Sequence, residues 1–360
     1  MMSKEVEYKD LIAFHPGSYV EDIVEELNIT QAEFADRLGT SSKTVSKIIN
    51  GEDNISNDIA NKLSKVTGIS VKTWMNLQEK YDLKILEIQN QQNADEEEEI
   101  CKLIDFGYFK RNGLVDDRKY KTEEKISVLR KLLNIADLSS LSKFNALVSY
   151  RNTKGFSEKT IVNSNVMLEI AMNKARNATS NKYQKSKLEH YLPQIKKLSL
   201  EKAETFYPRL KEILLECGIV LVALPMLKNA SLNGATKKFK NGSVMLLITD
   251  RNKKSDIFWF TLIHELGHIY CEDFYSNYSD SEAYRTKEER ADKFASDFFI
   301  PEKTYQNFVS KNNFTSESIL DFASELGILP GIVVGRLQKE KYIDYNKLNF
   351  LKSAYTINFV

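Results

Sequence analysis

The stretch His264-Glu265-Leu266-Gly267-His268 constrains this chain more than any other. Two histidines four residues apart on a helix present both imidazoles on one face, the spacing a tetrahedral Zn2+ needs, and the intervening Glu reaches the metal-bound water as general base. Only four histidines occur in the chain, and this pentapeptide uses two of them. A helix is expected there: Ser255 is placed to cap it, residues 257–263 are almost wholly apolar, and no proline follows before Pro301. Without a metal, the two histidines would be ordinary residues of a helix core.

A catalytic zinc site keeps three protein ligands and leaves its fourth position to water, so a third donor is needed. Residues 287–295 form a second helical segment about twenty residues on, with Phe294, Ala295, Phe298 and Phe299 as its buried side. Its carboxylates would otherwise be surface ion-pairing groups. Successive helical residues lie about 100° apart, whereas residues four apart share a face. Glu288 and Asp292 therefore project together beside Ala295, while Glu289 shares its face with Lys293 in the order that suits a solvent-side ion pair. Glu288 is the expected third ligand, and Asp292 the carboxylate that accepts the other ring N–H of a ligating histidine. Cys271, three residues past His268, would make the acidic helix unnecessary and reads as a small core residue. His190, in a charged stretch with no second donor at helical spacing, reads as helix surface.

The 360 residues are 42% hydrophobic and 28% charged, which excludes a disordered or fibrous chain. Three scattered cysteines, Cys101, Cys217 and Cys271, give no disulfide framework and no CxxC zinc site. The longest apolar run, 217–227, is too short to span a bilayer and the first ten residues are not a signal peptide, so a cytoplasmic protein without a membrane segment is expected. A net charge of +1 provides no global attraction to nucleic acid. Residues 1–90 hold 10 Lys/Arg and 15 Asp/Glu, a net of -5, leaving 41 and 35, a net of +6, for the other 270. The first segment is thus a separate acidic unit. It ends in a polar run through Glu96–Glu99 that is a linker or the solvated face of a long helix, with the boundary expected near residue 93. From about 100 to 215 apolar residues recur at helical spacing, as in Ile126, Leu129, Leu132, Leu133 and Ile135. Residues 218–225 and 243–249 then read as two strands, separated by turn signals at Asn233-Gly234 and Asn241-Gly242, and helical periodicity returns at Asp256. The expected fold is mainly α with a small β-sheet, an α+β arrangement in three parts: 1–93, 94–204 and 205–360.

Residues 30–51 have the pattern of a helix-turn-helix. Thr30 with Glu33 forms a capping box, Phe34, Ala35 and Leu38 give the first helix one apolar face, and Gly39 supplies the left-handed residue at the turn. Ser41 caps a second helix held by Val45, Ile48 and Ile49 and stopped by Asn50-Gly51. Ser42, Lys43, Thr44, Ser46 and Lys47, with Gln31 at the start of the first helix, are the residues such a motif offers to the major groove of double-stranded DNA. The alternative is an α-hairpin with a merely solvated face. Because the unit is acidic, useful affinity would require a dimer or a narrow basic face.

Phe14-His15-Pro16-Gly17, the helix-turn-helix, Ile49-Asn50-Gly51 and the stretch Trp74–Leu83 together resemble the HigA-type antitoxins, over residues 8–88. That resemblance implies a helical domain that dimerises on operator half-sites, with His15 in the loop leading into the first helix and structural in role. Phe258–Ile269, Glu288–Ala295, Phe299-Ile300-Pro301 and Pro330–Gln338 resemble the ImmA/IrrE metallopeptidases, over about 205–340. This second resemblance implies a zincin-like, zinc-dependent endopeptidase that cleaves repressor-type regulators. The expected mechanism has Zn2+ on His264, His268 and Glu288, and Glu265 as base, with the strand 244–248 as the edge that aligns an extended peptide. Tyr270, Tyr275, Tyr278 and Tyr284 are near enough in sequence to stabilise the oxyanion, and nothing separates them. Two functions fit: an operator-binding regulator that cleaves a partner repressor, antitoxin or toxin, or an antitoxin-like autorepressor whose peptidase-like domain binds a toxin or signal without routine cleavage. The presence of Glu265 favours the first, since a pure binding module does not need it.

Overall fold

A computed structural model describes residues 4–143, 157–251, 253–274 and 281–357, in two units, Met1–Glu97 and Glu98–Val360. The first unit opens with a hairpin, β1 (Glu5–Tyr8) and β2 (Leu11–Phe14), antiparallel with Glu5 opposite Phe14. Helices α1 (Gly17–Glu26), α2 (Gln31–Leu38), α3 (Ser42–Ile49) and α4 (Asn57–Thr67) follow, then the start of the long α5 (Val71–Leu103). Phe34, Val45, Ile49, Leu63 and Trp74 fill their common core. The polar run near residue 93 is therefore helix and not an open linker.

Local chemistry explains the α2–α3 turn. Thr30 Oγ1 accepts a hydrogen bond from the Glu33 amide at 3.1 Å, and Ser41 Oγ accepts one from the Thr44 amide at 3.1 Å. Gly39, at φ 61°, ends α2 in the left-handed conformation. The capping box is only half made, because the Glu33 carboxylate bonds Arg37 at 2.7 Å instead of returning to Thr30.

In the second unit, α6 (Phe106–Arg111), α7 (Thr122–Leu133), α8 (Glu158–Ala175), α9 (Lys185–Leu198) and α10 (Ala203–Glu216) precede a sheet of β3 (Ile219–Leu224), β4 (Gly234–Lys238) and β5 (Val244–Thr249). Helices α11 (Ser255–Tyr270), α12 (Ser281–Phe299), α13 (Glu302–Val309), α14 (Ser316–Leu326) and α15 (Pro330–Lys339) complete it. Strand order is β3-β5-β4, with β3 parallel and β4 antiparallel to β5. Alternation along the strands explains two cores. Ile219, Leu221, Val244, Leu246 and Ile248 face one core with α11, whereas Val220, Val222, Met245 and Leu247 face another built with α7 and α8. The helices between 100 and 175 thus cover one face of the sheet.

Three local expectations are corrected. Val244–Ile248 lies in the central strand, paired on both sides, so it has no free edge for a peptide. Asn233-Gly234 is not a turn between two strands but the start of β4, which is short, rich in lysine and without the β-branched run that marks β3 and β5. Ser255 does not cap α11: Lys254 holds the cap position, and the Ser255 amide instead bonds the Ser353 carbonyl at 2.9 Å. No single helix among the described residues is long and apolar enough to cross a membrane.

Candidate metal centre and helix-turn-helix surface

α11 runs through the interior, and its whole length from Trp259 to Ile269, apart from Phe260, is buried. α12 packs along it. Gly267 makes that approach possible, since a Cβ there would sit 3.1 Å from the Ala291 Cα. The close approach carries Glu288 to the histidines. His264 Nε2 and His268 Nε2 are 3.1 Å apart, and the Glu288 carboxylate oxygens lie 3.5 Å from the first and 3.2 Å from the second. Ligands at about 2.0–2.2 Å around one tetrahedral ion stand roughly 3.3–3.6 Å from each other. The N,N,O donor set, at 3.1, 3.2 and 3.5 Å, comes within about 0.2 Å of that range and has the chemistry that suits Zn2+.

Asp292 Oδ1 lies 2.8 Å from His264 Nδ1, and its Oδ2 pairs with Lys339 Nζ at 3.1 Å. Accepting the Nδ1–H fixes the tautomer that leaves the Nε2 lone pair facing the donor cluster. His268 Nδ1 is buried and has no hydrogen-bond partner among the described residues. Burial raises the Glu288 carboxyl, but bonds and charge from the two imidazoles outweigh it and hold the group far below the usual carboxylate range. Glu289 is exposed, and no ion pair joins it to Lys293 among the described residues.

Glu265 is 5% exposed and lines a small cleft with His264, Thr261, Gly234, Asn233, Ser231 and Arg251. The start of β4 runs directly past it. A Cβ on Gly234 would lie 2.7 Å from Glu265 Cγ and 2.9 Å from its Oε1, so only glycine leaves the carboxylate its place. Arg251, unforeseen from the sequence, bonds Ser231 Oγ at 3.2 Å and brings a guanidinium to this cleft. Its sole advance signal was a cation two residues beyond β5.

Tyr270 points elsewhere: its hydroxyl donates to Glu189 Oε1 at 2.9 Å and its ring stacks on Phe294. Tyr275 and Tyr278 lie outside the described residues, as does the side chain of Tyr284. Cys271 is half-buried just past α11 and outside the donor cluster, and His190 is exposed on α9.

In the first unit, Val45, Ile48 and Ile49 pin α3 to the core. Gln31, Ser42 and Lys43 are exposed, whereas Thr44, Ser46 and Lys47 are half-buried, with Lys47 Nζ 3.4 Å from Asp53 Oδ1. His15 is fully buried, its Nδ1 accepting from the Gly17 amide at 3.0 Å, and its ring meets Tyr81 edge-on. Burial lowers its pKa below the ordinary value, against a smaller upward pull from Asp82.

A helix-turn-helix family model matches residues 20–74, and a peptidase family model, the IrrE N-terminal-like domain, matches residues 216–338. The HTH-type transcriptional regulator YddM of Escherichia coli is 34% identical over 68 residues, 19% of this chain and 72% of that protein. Virulence-associated protein A′ of Dichelobacter nodosus is 40% identical over 70 residues, 19% of this chain and 61% of its own length. Among solved structures, Pseudomonas aeruginosa antitoxin HigA with the higBA promoter is 32% identical and covers 24% of this chain and 94% of that one, with a TM-score of 0.22. An addiction module antidote protein of the HigA family from Coxiella burnetii is 28% identical, with coverages of 24% and 94% and a TM-score of 0.22. By these matches the chain belongs to the helix-turn-helix transcriptional regulators and carries, behind that DNA-binding domain, an IrrE N-terminal-like domain of the peptidase class.

Proposed function

We propose that this protein is an operator-binding regulator whose second unit is a zinc endopeptidase acting on a partner regulatory protein. The observation that carries the reading is the convergence of His264, His268 and Glu288 at ligand spacing, with the Glu265 carboxylate in the adjoining cleft. Bound Zn2+ would supply Lewis acidity to a water and to the scissile carbonyl. Glu265, outside the donor cluster, takes the proton of the attacking water and delivers it to the leaving amine. Asp292 orients His264 through Nδ1, and Arg251 supplies positive charge to the oxyanion. An extended peptide pairs with the outer edge of β4, to which no strand is bonded among the described residues and which passes Glu265 at Gly234.

In the first unit, α3 enters the major groove and a homodimer spans two half-sites, which compensates for the unit's acidic balance. This activity belongs in the cytoplasm, with the operator. The antitoxin-like reading draws on the likeness of the first unit to HigA, but it gives no use to a buried Glu265 beside a metal-ligand cluster. Co-expression with the repressor, antitoxin or toxin genes adjoining its own provides the test. Cleavage of one product by the wild type and its loss in Glu288→Ala is expected; a stable complex with no cleavage of any of them favours the antitoxin-like reading.

A further inference from the structure

Basic charge is concentrated in one stretch of the second unit. Residues 174–240 hold 14 Lys/Arg against 5 Glu and no Asp, a net of +9 in a chain whose total is +1. The fold gathers part of this stretch at the end of β4 away from Gly234. The Tyr183 amide donates to the Gly242 carbonyl at 2.9 Å and Asn241 Nδ2 to the Thr179 carbonyl at 3.2 Å, so the segment leading into α9 is tied to the β4–β5 turn. A Cβ on Gly242 would lie 3.0 Å from Lys182 Cγ, which sets Lys182 against the turn that carries Lys240. Lys185 Nζ stands 3.9 Å from the ring centre of Tyr270, and Lys238 Nζ 5.3 Å from that of Phe274, whose ring meets Tyr183. Lys187 Nζ donates to the Glu216 carbonyl at 3.5 Å.

Of these five lysines, Lys238 is half-buried and the others are exposed, and none is in an ion pair among the described residues. Beside them, Lys237 and Arg176 act on Glu169, and Asp273 pairs with Arg290. Glu189 and Glu216 accept the hydroxyls of Tyr270 and Tyr191, and Glu272 acts on Tyr183. Eight cations thus meet five carboxylates. Moreover, α9 opens with Lys185 and Lys187 and has no acid in its first turn, where the helix dipole favours anions. Such a face repels itself, and an anionic partner relieves it. The first unit selects the polyanion. Phosphate neutralisation supplies most of the non-specific strength of duplex binding, yet residues 1–90 carry a net of -5, so that strength must come from elsewhere in the chain. DNA held by α3 also raises the concentration of phosphate around every other part of the same molecule. We propose that the face formed by Lys182, Lys185, Lys187, Lys238 and Lys240 binds the phosphate backbone of double-stranded DNA without reading its sequence. The choice of DNA rests on the operator-binding reading, and nothing in it requires cleavage.

The probe is a short duplex of arbitrary sequence, titrated into the full-length protein by fluorescence anisotropy at several salt concentrations. Each phosphate contact contributes about 0.9 to the slope of log K against log salt. Replacing Lys182, Lys185 and Lys240 together by Gln is expected to make that slope shallower by about 2 to 3 and to weaken binding more than about tenfold at about 0.1 M salt. Replacing them by Arg should preserve it. Lys303, Lys311 and Lys341, exposed and outside the face, are changed to Gln as the control for net charge and should alter the slope by less than about 1. Lys43→Ala with Lys47→Ala should still bind the arbitrary duplex. No binding by the wild type, equal slopes in the face and control variants, or loss of all binding with Lys43 and Lys47 overturns the proposal. Poly-L-glutamate bound more tightly than the duplex at equal charge would overturn it in favour of an acidic protein segment. If the promoter of its own gene is bound no better than the arbitrary duplex while the face variants behave as expected, the operator-binding reading falls and the phosphate-binding face stands.

Discussion

Removing the Asp292 carboxylate should weaken zinc binding although the residue is not one of the three converging donors. Its Oδ1 holds His264 Nδ1 at 2.8 Å, and without it the imidazole loses the partner that fixes its tautomer and ring angle. Such outer partners are worth about 10- to 100-fold in metal affinity. The same carboxylate also pairs with Lys339 at 3.1 Å, so Asp292→Ala removes both pairings at once. Lys339→Ala separates them. That pair is half-exposed and contributes little, so the lysine variant should change zinc affinity less than about threefold. Glu288→Ala should abolish stoichiometric binding, and Glu289→Ala, whose side chain is exposed, should leave it unchanged. Competition titration with a chromophoric zinc chelator ranks all four. If Glu289→Ala loses the metal while Glu288→Ala keeps it, or Lys339→Ala weakens it as much as Asp292→Ala, the packing of α12 against α11 is wrong.

Gly234→Ala should spare zinc binding but slow cleavage by about 10²-fold. Its Cβ would stand 2.7 Å from Glu265 Cγ, where carbon atoms need roughly 3.5–4.0 Å, so the base must shift by about 1 Å. Single-turnover cleavage with parallel metal analysis decides it, and an unchanged rate would remove Glu265 from the chemistry. Replacing Lys43 and Lys47 together by Ala should weaken operator binding by about 1–3 kcal/mol for each lysine that bonds a base edge, and by less for one that meets only a phosphate, with Lys47 first giving up Asp53. A fluorescence titration at fixed salt that shows no change would mean α3 is not the reader. The buried His15 favours its neutral form, so the unfolded chain binds a proton at that site more readily than the folded one. Its contribution to stability is complete above about pH 6.5 and is lost as the pH falls through 6.5 toward the depressed folded value. An NMR titration of the His15 ring in the intact protein with a midpoint at or above about 6.5 would rule this out.

What the sequence made legible was helical. The HELGH spacing, the four-residue step from Glu288 to Asp292, and the glycine and serine around the α2–α3 turn each act within one or two turns of chain, where periodicity and capping are local physics. The structure has Glu288 and Asp292 both against His264. What escaped was set by residues distant in the chain. β4 carries Gly-Ala-Thr-Lys-Lys, and its place depends on pairing with β5 and on fitting beside Glu265. Arg251 had no motif around it, and its position in the cleft follows from where β5 ends. The order β3-β5-β4 made the strand with the weakest sequence signal one of the two edges and put the expected edge strand in the middle. Likewise, helical spacing between 100 and 175 could not reveal that those helices cover one face of a sheet more than forty residues later.

Glu265 is assigned chemistry at a metal that it does not bind, and on that assignment the proposed activity stands or falls. Zinc content and cleavage of a co-purified partner should therefore be measured in the same samples of wild type and Glu265→Gln. Both proteins are expected to hold close to one zinc per chain, with cleavage in the wild type and none in the variant. Full cleavage by Glu265→Gln, or loss of zinc from it, would overturn the assignment.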